Sequence, residues 1–157
     1  GDMDPAAVLR LVDLGYTTAE VDKILNKQSG LLGMGGINSG DMRDMLKAAS
    51  EGNEQAALAL KMFVRRVVKY IGSYYVLVGG AQAISFTGGI GEYSTEIRKM
   101  ILNELSALDI KVDEAANAAC FGKKGIISTA DSKWKAIVMP TDEELMIAKS
   151  TVATIGK

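Results

Sequence analysis

The stretch ISFTGGIGEYSTEIR, from Ile84 to Arg98, decides how the rest of the chain is read. Ala83–Phe86 is short, apolar and bounded by breakers, which predicts a buried strand. Gly88, Gly89 and Gly91 follow it. Beyond them Ile97, Met100, Ile101, Leu105 and Leu108 recur at helical steps, so a helix is predicted there. A strand, a glycine turn and a helix in that order suit a phosphate or nucleoside. Glycine lets the backbone take positive φ and approach a ligand, and the first amides of a helix favour an anion. No Lys-Ser/Thr follows the glycines, so this is not a P-loop, and Gly-Gly-x-Gly-Glu is not the dinucleotide fingerprint. On spacing alone, a nucleotide cradle and a simple tight turn both remain open.

Working outward, Asp4-Pro5 reads as an N-cap and first helical position, with Gly15 closing that short helix. Thr17 and Glu20 have capping-box spacing for a second helix through about Asn26. Five glycines between Ser29 and Gly40 predict a loop, and a helix is expected from Asp41 to Ser50. Leu60, Val64, Val67, Val68, Ile71, Tyr74, Tyr75 and Val78 mark one long amphipathic helix from about Asn53 to Val78, ended by Gly79-Gly80. Further short strands are predicted at Ile110–Val112, Ile126–Thr129 and Ala136–Met139. Thr141, with Glu144 three residues on, is expected to cap a final helix over about 141–155. Helices alternating with buried strands indicate an α/β architecture in one domain.

Composition narrows the classes. The 157 residues are 48% apolar and 24% charged, with 18 basic against 19 acidic residues, so the basic excess of a nucleic-acid binder is missing. There is no histidine and a single cysteine, Cys120. Imidazole catalysis, histidine metal sites and thiolate clusters are therefore excluded within this chain, and a reducing, cytoplasmic setting is expected. The first residues lack the basic start and apolar core of a signal peptide. Tyr70–Gly91 carries no charge over 22 residues, but six are glycine, so a helix end, strand and turn are expected rather than a membrane span.

Two other places carry suitable groups. Arg43 is able to contact a phosphate or stack on a base, and Asp41 to accept from a ribose or amino group. An ordinary surface ion pair explains the same Asp-x-Arg spacing. In Thr141-Asp142-Glu143-Glu144, a capping role for Glu144 leaves Glu143 facing outward, where it suits Mg²⁺. Acidic residues also simply favour the first turn of a helix.

Taken in order, Gly1-Asp2-Met3-Asp4-Pro5, Ser29-Gly30-Leu31-Leu32-Gly33, Asp41-Met42-Arg43-Asp44, Phe86-Thr87-Gly88-Gly89-Ile90-Gly91-Glu92 and Pro140-Thr141-Asp142-Glu143-Glu144-Leu145 form a far more specific set. This set resembles the C-terminal part of acetate kinase, in the acetate and sugar kinase, chaperone and actin superfamily. The resemblance covers nearly the whole chain. It implies a helix-rich, partial actin-like (ribonuclease H-like) ATPase lobe with a small sheet. It also implies reversible, Mg²⁺-dependent transfer of the γ-phosphoryl of ATP to acetate, giving acetyl phosphate and ADP. The family's nucleotide site maps onto Asp41, Met42, Arg43, Gly88, Gly89, Ile90, Gly91 and Glu92, and its magnesium-associated glutamate onto Glu143. Family members commonly have Asn where this chain has Tyr93, so Ser94 or Thr95 is expected to cap the following helix.

Acetate kinases are more than twice this length. By resemblance, the acetate pocket, a catalytic arginine, histidines and another phosphate loop belong to the part that precedes Gly1. Arg43, Arg98 and Glu143 with a metal do not replace them, so no catalytic residue is expected here and the isolated chain is expected to be inactive. The final helix is expected to pack on the missing lobe, and the chain to form a homodimer. A propionate or butyrate kinase, and a non-catalytic actin-like interaction module, are the alternative readings.

Overall fold

The computed structural model describes residues 3–156, which fall into two compact units, 3–63 and 64–156. In the first unit the local signals act as the sequence predicts. Asp4 accepts the Ala6 amide at the start of α1 (Pro5–Asp13). Thr17 and Glu20 close a full capping box on α2 (Thr18–Lys27), satisfying amides that a helix start leaves unpaired. The glycine-rich segment is not all loop. Gly30–Met34 forms a five-residue helix, α3, whose end is sealed by the Gly35 amide donating to the Leu31 carbonyl. The glycines there differ in role: Gly30 takes positive φ in open space, whereas a β-carbon on Gly35 would lie about on top of the Met45 side chain. Next comes α4 (Met42–Ser50), in which Met42 and Met45 are buried; Val21, Ala56, Ala59 and Leu60 are further buried apolar residues of this unit.

The long helix α5 (Glu54–Leu77) starts where Asn53 accepts the Ala56 amide, and it stops at Gly79 and Gly80, both at positive φ. In the second unit, β1 (Ala83–Phe86) leads into the glycine turn, which is itself a short helix, α6 (Gly88–Tyr93). Ser94 then caps α7 (Thr95–Glu104) by accepting the Ile97 amide, the cap the sequence offered in place of Tyr93. The buried face of α7 is Ile97, Arg98, Ile101 and Leu102, while Met100 lies half-buried to the side. A 3-10 turn (Ser106–Leu108) and α8 (Glu114–Ala119) follow.

The sheet is small and mixed. β3 (Lys135–Val138) lies in its centre, parallel to β1 and antiparallel to β2 (Gly125–Ile126), in the order β1-β3-β2. The expected strand at Ile110–Val112 reduces to a single bridge between Val112 and Ser128, and of the expected 126–129 strand only Ile126 lies in β2, with Ser128 in that bridge. Periodicity in three-residue apolar runs marks burial without specifying a ladder partner. Parallel pairing of β1 with β3 needs the long crossover through α6, α7 and α8, and this crossover supplies the core: Ile97, Ile101, Leu102 and Leu105 are buried, as are Ile127, Ala136 and Val138 of the sheet side. The last helix, α9 (Glu143–Ile155), buries none of its residues. Among the described residues no helix is long and apolar enough to cross a membrane.

Candidate functional site

The glycine turn divides its labour. Gly88 sits at φ +70°, a conformation that a side chain would strain. Gly91 is required for a different reason, because a β-carbon there would come within 3.1 Å of the Phe86 carbonyl carbon at the end of β1. Gly89 is under neither constraint: its φ is ordinary and an added β-carbon would meet nothing within 4 Å. Open space above an unconstrained glycine is where a ligand has room to lie against the backbone. Ile90 beside it is exposed. Thr87, in the N-cap position, makes no side-chain capping hydrogen bond.

Glu92 departs from the ligand-facing role expected of it. It is 5% exposed, and its Oε1 accepts the Gly88 amide, the Thr141 amide and the Thr141 hydroxyl, each at 2.9 Å. Hydrogen bonds from Thr141, with that from Gly88, hold its carboxyl below the ordinary glutamate range. The Gly88 amide, which the sequence suggested for an anion, is thus already occupied from within the turn.

Thr141 also departs from expectation, and for the same reason. With its hydroxyl directed to Glu92, it does not cap α9. Asp142 does so instead, accepting the Leu145 amide at 2.8 Å. Glu144 is therefore not held in a Thr141 capping box, and the argument that this box frees Glu143 falls away. Glu143 is nonetheless exposed, as the first residue of α9. Among the described residues no group of three acidic, histidine or cysteine side chains is arranged to hold a metal. A lone outward carboxylate does fit the way Mg²⁺ is commonly held, by one or two carboxylates together with substrate phosphates.

In the first unit, Asp41 caps α4 through the Arg43 amide and pairs with the Arg43 side chain through both carboxylate oxygens, at 3.0 and 2.7 Å. The Arg43 hydrogen bonds lower the Asp41 pKa to about 2. The Arg43 side chain is 89% exposed and faces solvent, as a phosphate or base contact requires. Met42 is buried in the core of its unit and offers no side chain to a ligand.

Sequence reasoning missed the part played by Arg98. Grouped there with the charges near the phosphates, it is wholly buried. Its guanidinium donates to the carbonyls of Gly91 and Glu92 at 2.8 and 2.9 Å, to those of Asn117 and Cys120 at 2.9 and 2.8 Å, and to Asn117 Oδ1 at 2.8 Å. It clamps the C-terminal end of the glycine turn to the end of α8, and burial lowers its pKa from the ordinary value. The signal lay in the helix face: Ile101, Leu102 and Leu105, three, four and seven positions on, are all apolar and buried.

Comparison with known proteins adds four similarities to this geometry. The family description that matches is the Acetokinase family, over residues 1–149. The chain is 52% identical over its full length to the acetate kinase of Clostridium novyi (strain NT), of which it spans 39%. The crystal structure of Porphyromonas gingivalis acetate kinase superposes with a TM-score of 0.87 at 38% identity, over 99% of this chain and 39% of that one. A propionate kinase from Francisella tularensis subsp. tularensis SCHU S4 superposes with a TM-score of 0.85, also at 38% identity, over 94% of this chain and 37% of that one. The share covered, rather than the end of the relatives on which it falls, is what these similarities establish. They carry the helix-rich, actin-like fold class with its small sheet.

Proposed function

The chain belongs to the acetokinase family, and from that premise we propose that it supplies the nucleotide-binding part of an acetate kinase. The parent reaction is transfer of the γ-phosphoryl of ATP to an acetate oxygen, giving acetyl phosphate and ADP, and its reverse. The chain spans about two-fifths of the length of its relatives, so the acetate pocket is assigned to the remainder. Phosphoryl transfer needs positioning and charge neutralisation more than covalent chemistry. In this reading Arg43 contacts the nucleotide from solvent, with Asp41 orienting its guanidinium. The Gly88–Gly89–Ile90 backbone receives the nucleotide at the end of β1, and Gly91 keeps that backbone close to the strand. Glu143 holds Mg²⁺, which when bound offsets charge on the phosphates.

The observation that supports the reading is the unconstrained Gly89: neither backbone conformation nor packing asks for glycine there, and a nucleotide lying against the backbone would account for it. Calorimetric titration of Mg-ADP into the chain tests it, with Arg43→Ala and Gly89→Val as controls. Binding lost in both variants supports the half-site. Binding that survives both overturns it.

Similarity to a propionate kinase favours a second reading within the same chemistry, with propionate as acceptor. Acyl specificity then belongs to the part of the parent beyond this chain, and turnover of acetate against propionate by the complete parent decides it. We assign α9, whose Leu145, Met146, Ile147, Val152 and Ile155 are all exposed, to packing on that other part. Homodimerisation is proposed on the same ground of exposed apolar surface, and light scattering that finds a monomer at high concentration overturns it.

A further inference from the structure

Glu92 and Thr141 are 49 residues apart in sequence and meet where two parallel strands end. Phe86 is in register with Val138, and the Met139 amide donates to the Phe86 carbonyl at 2.8 Å, the last bond of the β1–β3 pairing. From there the chain leaves β1 into the glycine turn and leaves β3 towards Thr141 and α9. No strand ladder joins those two exits. One carboxylate oxygen does, taking the Gly88 amide from one side and the Thr141 amide and hydroxyl from the other.

We propose that Glu92 is a positioning residue, a latch that fixes the glycine turn and the Thr141–Glu143 segment in one relation, and that it acts on the nucleotide through Gly88 rather than by touching it. This inference rests on the reading of the glycine turn and Glu143 as nucleotide and metal groups. Two facts argue for the latch over direct contact. A buried carboxylate facing the phosphates would repel them, whereas three donors converging on one oxygen satisfy its charge within the fold. The bonds also span two separate turns, so breaking them changes the distance between Gly89 and Glu143 without removing either. Arg98 completes the arrangement at the other end of α6, where it holds the Gly91 and Glu92 carbonyls. The turn is thereby gripped at its amide end by Glu92 and at its carbonyl end by Arg98.

Thr141 is exposed, so Thr141→Val removes one hydroxyl and leaves the core untouched. In the ligand-free chain, amide hydrogen exchange at Gly88 is expected to accelerate about tenfold in Thr141→Val, and Thr141→Ser is expected to restore it. The matching readout with ligand is the gain in ADP affinity on adding Mg²⁺, measured by calorimetry. It is expected to shrink about tenfold in Thr141→Val and to recover in Thr141→Ser, whereas a merely local role for Thr141 leaves it unchanged. Unaltered exchange at Gly88 in Thr141→Val overturns the latch. Altered exchange with an unaltered Mg²⁺ gain overturns its action on the nucleotide. If the wild-type chain binds no ADP, the nucleotide reading itself fails, and the exchange experiment alone still decides whether the two turns are latched.

Discussion

Arg98 and Asn117, nineteen residues apart, are joined twice: Nε of the guanidinium donates to the Asn117 side-chain oxygen at 2.8 Å and Nη2 to its backbone carbonyl at 2.9 Å. Asn117 returns its own amide to the Thr95 carbonyl at 2.9 Å, tying α8 back to the start of α7. The acceptors around the guanidinium are carbonyl and amide oxygens, so its charge is satisfied by dipoles. Removing the donor strands several buried acceptors at once. Arg98→Met is therefore expected to lower stability by at least about 3 kcal/mol, since each buried acceptor left without a partner costs about 1–3 kcal/mol. Arg98→Lys is expected to recover only a fraction, because an ammonium cannot span the same fork of acceptors. Urea unfolding of the three proteins measures the order.

The two neighbouring glycines are expected to fail in opposite ways. Gly91→Val drives a β-carbon against the Phe86 carbonyl carbon, and its melting midpoint should fall by several degrees. Gly89→Val meets open space, so its midpoint should stay near wild type while Mg-ADP binding disappears. Thermal melts alongside titrations separate the two, and a Gly89→Val protein that melts early removes the basis for reading its lost binding as a ligand effect.

Arg43→Ala is expected to spare the fold, because the pair it breaks is exposed and the Asp41 cap uses the retained backbone amide. Nucleotide affinity should drop about tenfold or more, the scale of a lost charged hydrogen bond. The pH dependence has a defined sign. With the Asp41 pKa lowered to about 2 in the folded chain, its contribution is complete above the ordinary value of 3.8 and fades as pH falls towards 2. The small difference in melting midpoint between wild type and Arg43→Ala should be full above 3.8, shrink between those limits and vanish below them.

Capping of α9 offers a direct discrimination between neighbours. Asp142→Ala is expected to fray the helix and cost about 1 kcal/mol locally, seen as faster exchange at the Leu145 amide. Thr141→Val should leave that amide protected. The reverse outcome would restore the capping box expected from the sequence.

Much of the fold was legible because its signals are local. Asp4, Thr17 with Glu20, and Ser94 each satisfy amides within three residues, and the long run of apolar steps from Leu60 to Val78 marks α5 without help from elsewhere. The ordered motifs likewise identified the family, which the match over residues 1–149 bears out. Less was legible where partners are distant. The short helix at Gly30–Met34 hid behind its glycines, because Gly33 packs against the Gln28 carbonyl and Gly35, just past the helix, against Met45, contacts that no sequence pattern marks. Arg98 was grouped with Arg43 and Glu143 as a charge near the phosphates, since its charge alone does not announce the four carbonyls that surround it.

The sequence by itself determined where helices begin and end, which glycines interrupt the chain, and which family carries those motifs in that order. Those properties depend on residues within a turn or two of each other. The tertiary structure alone decided what the polar side chains do. The Thr141 side chain had two possible partners, the amides of its own helix, from which it would accept, and a carboxylate 49 residues away, to which it donates; it is directed to the buried Glu92, because a desolvated charge needs donors more than a helix end in water needs a cap. Asp142, next in the chain and already beside α9, then capped the helix in its place.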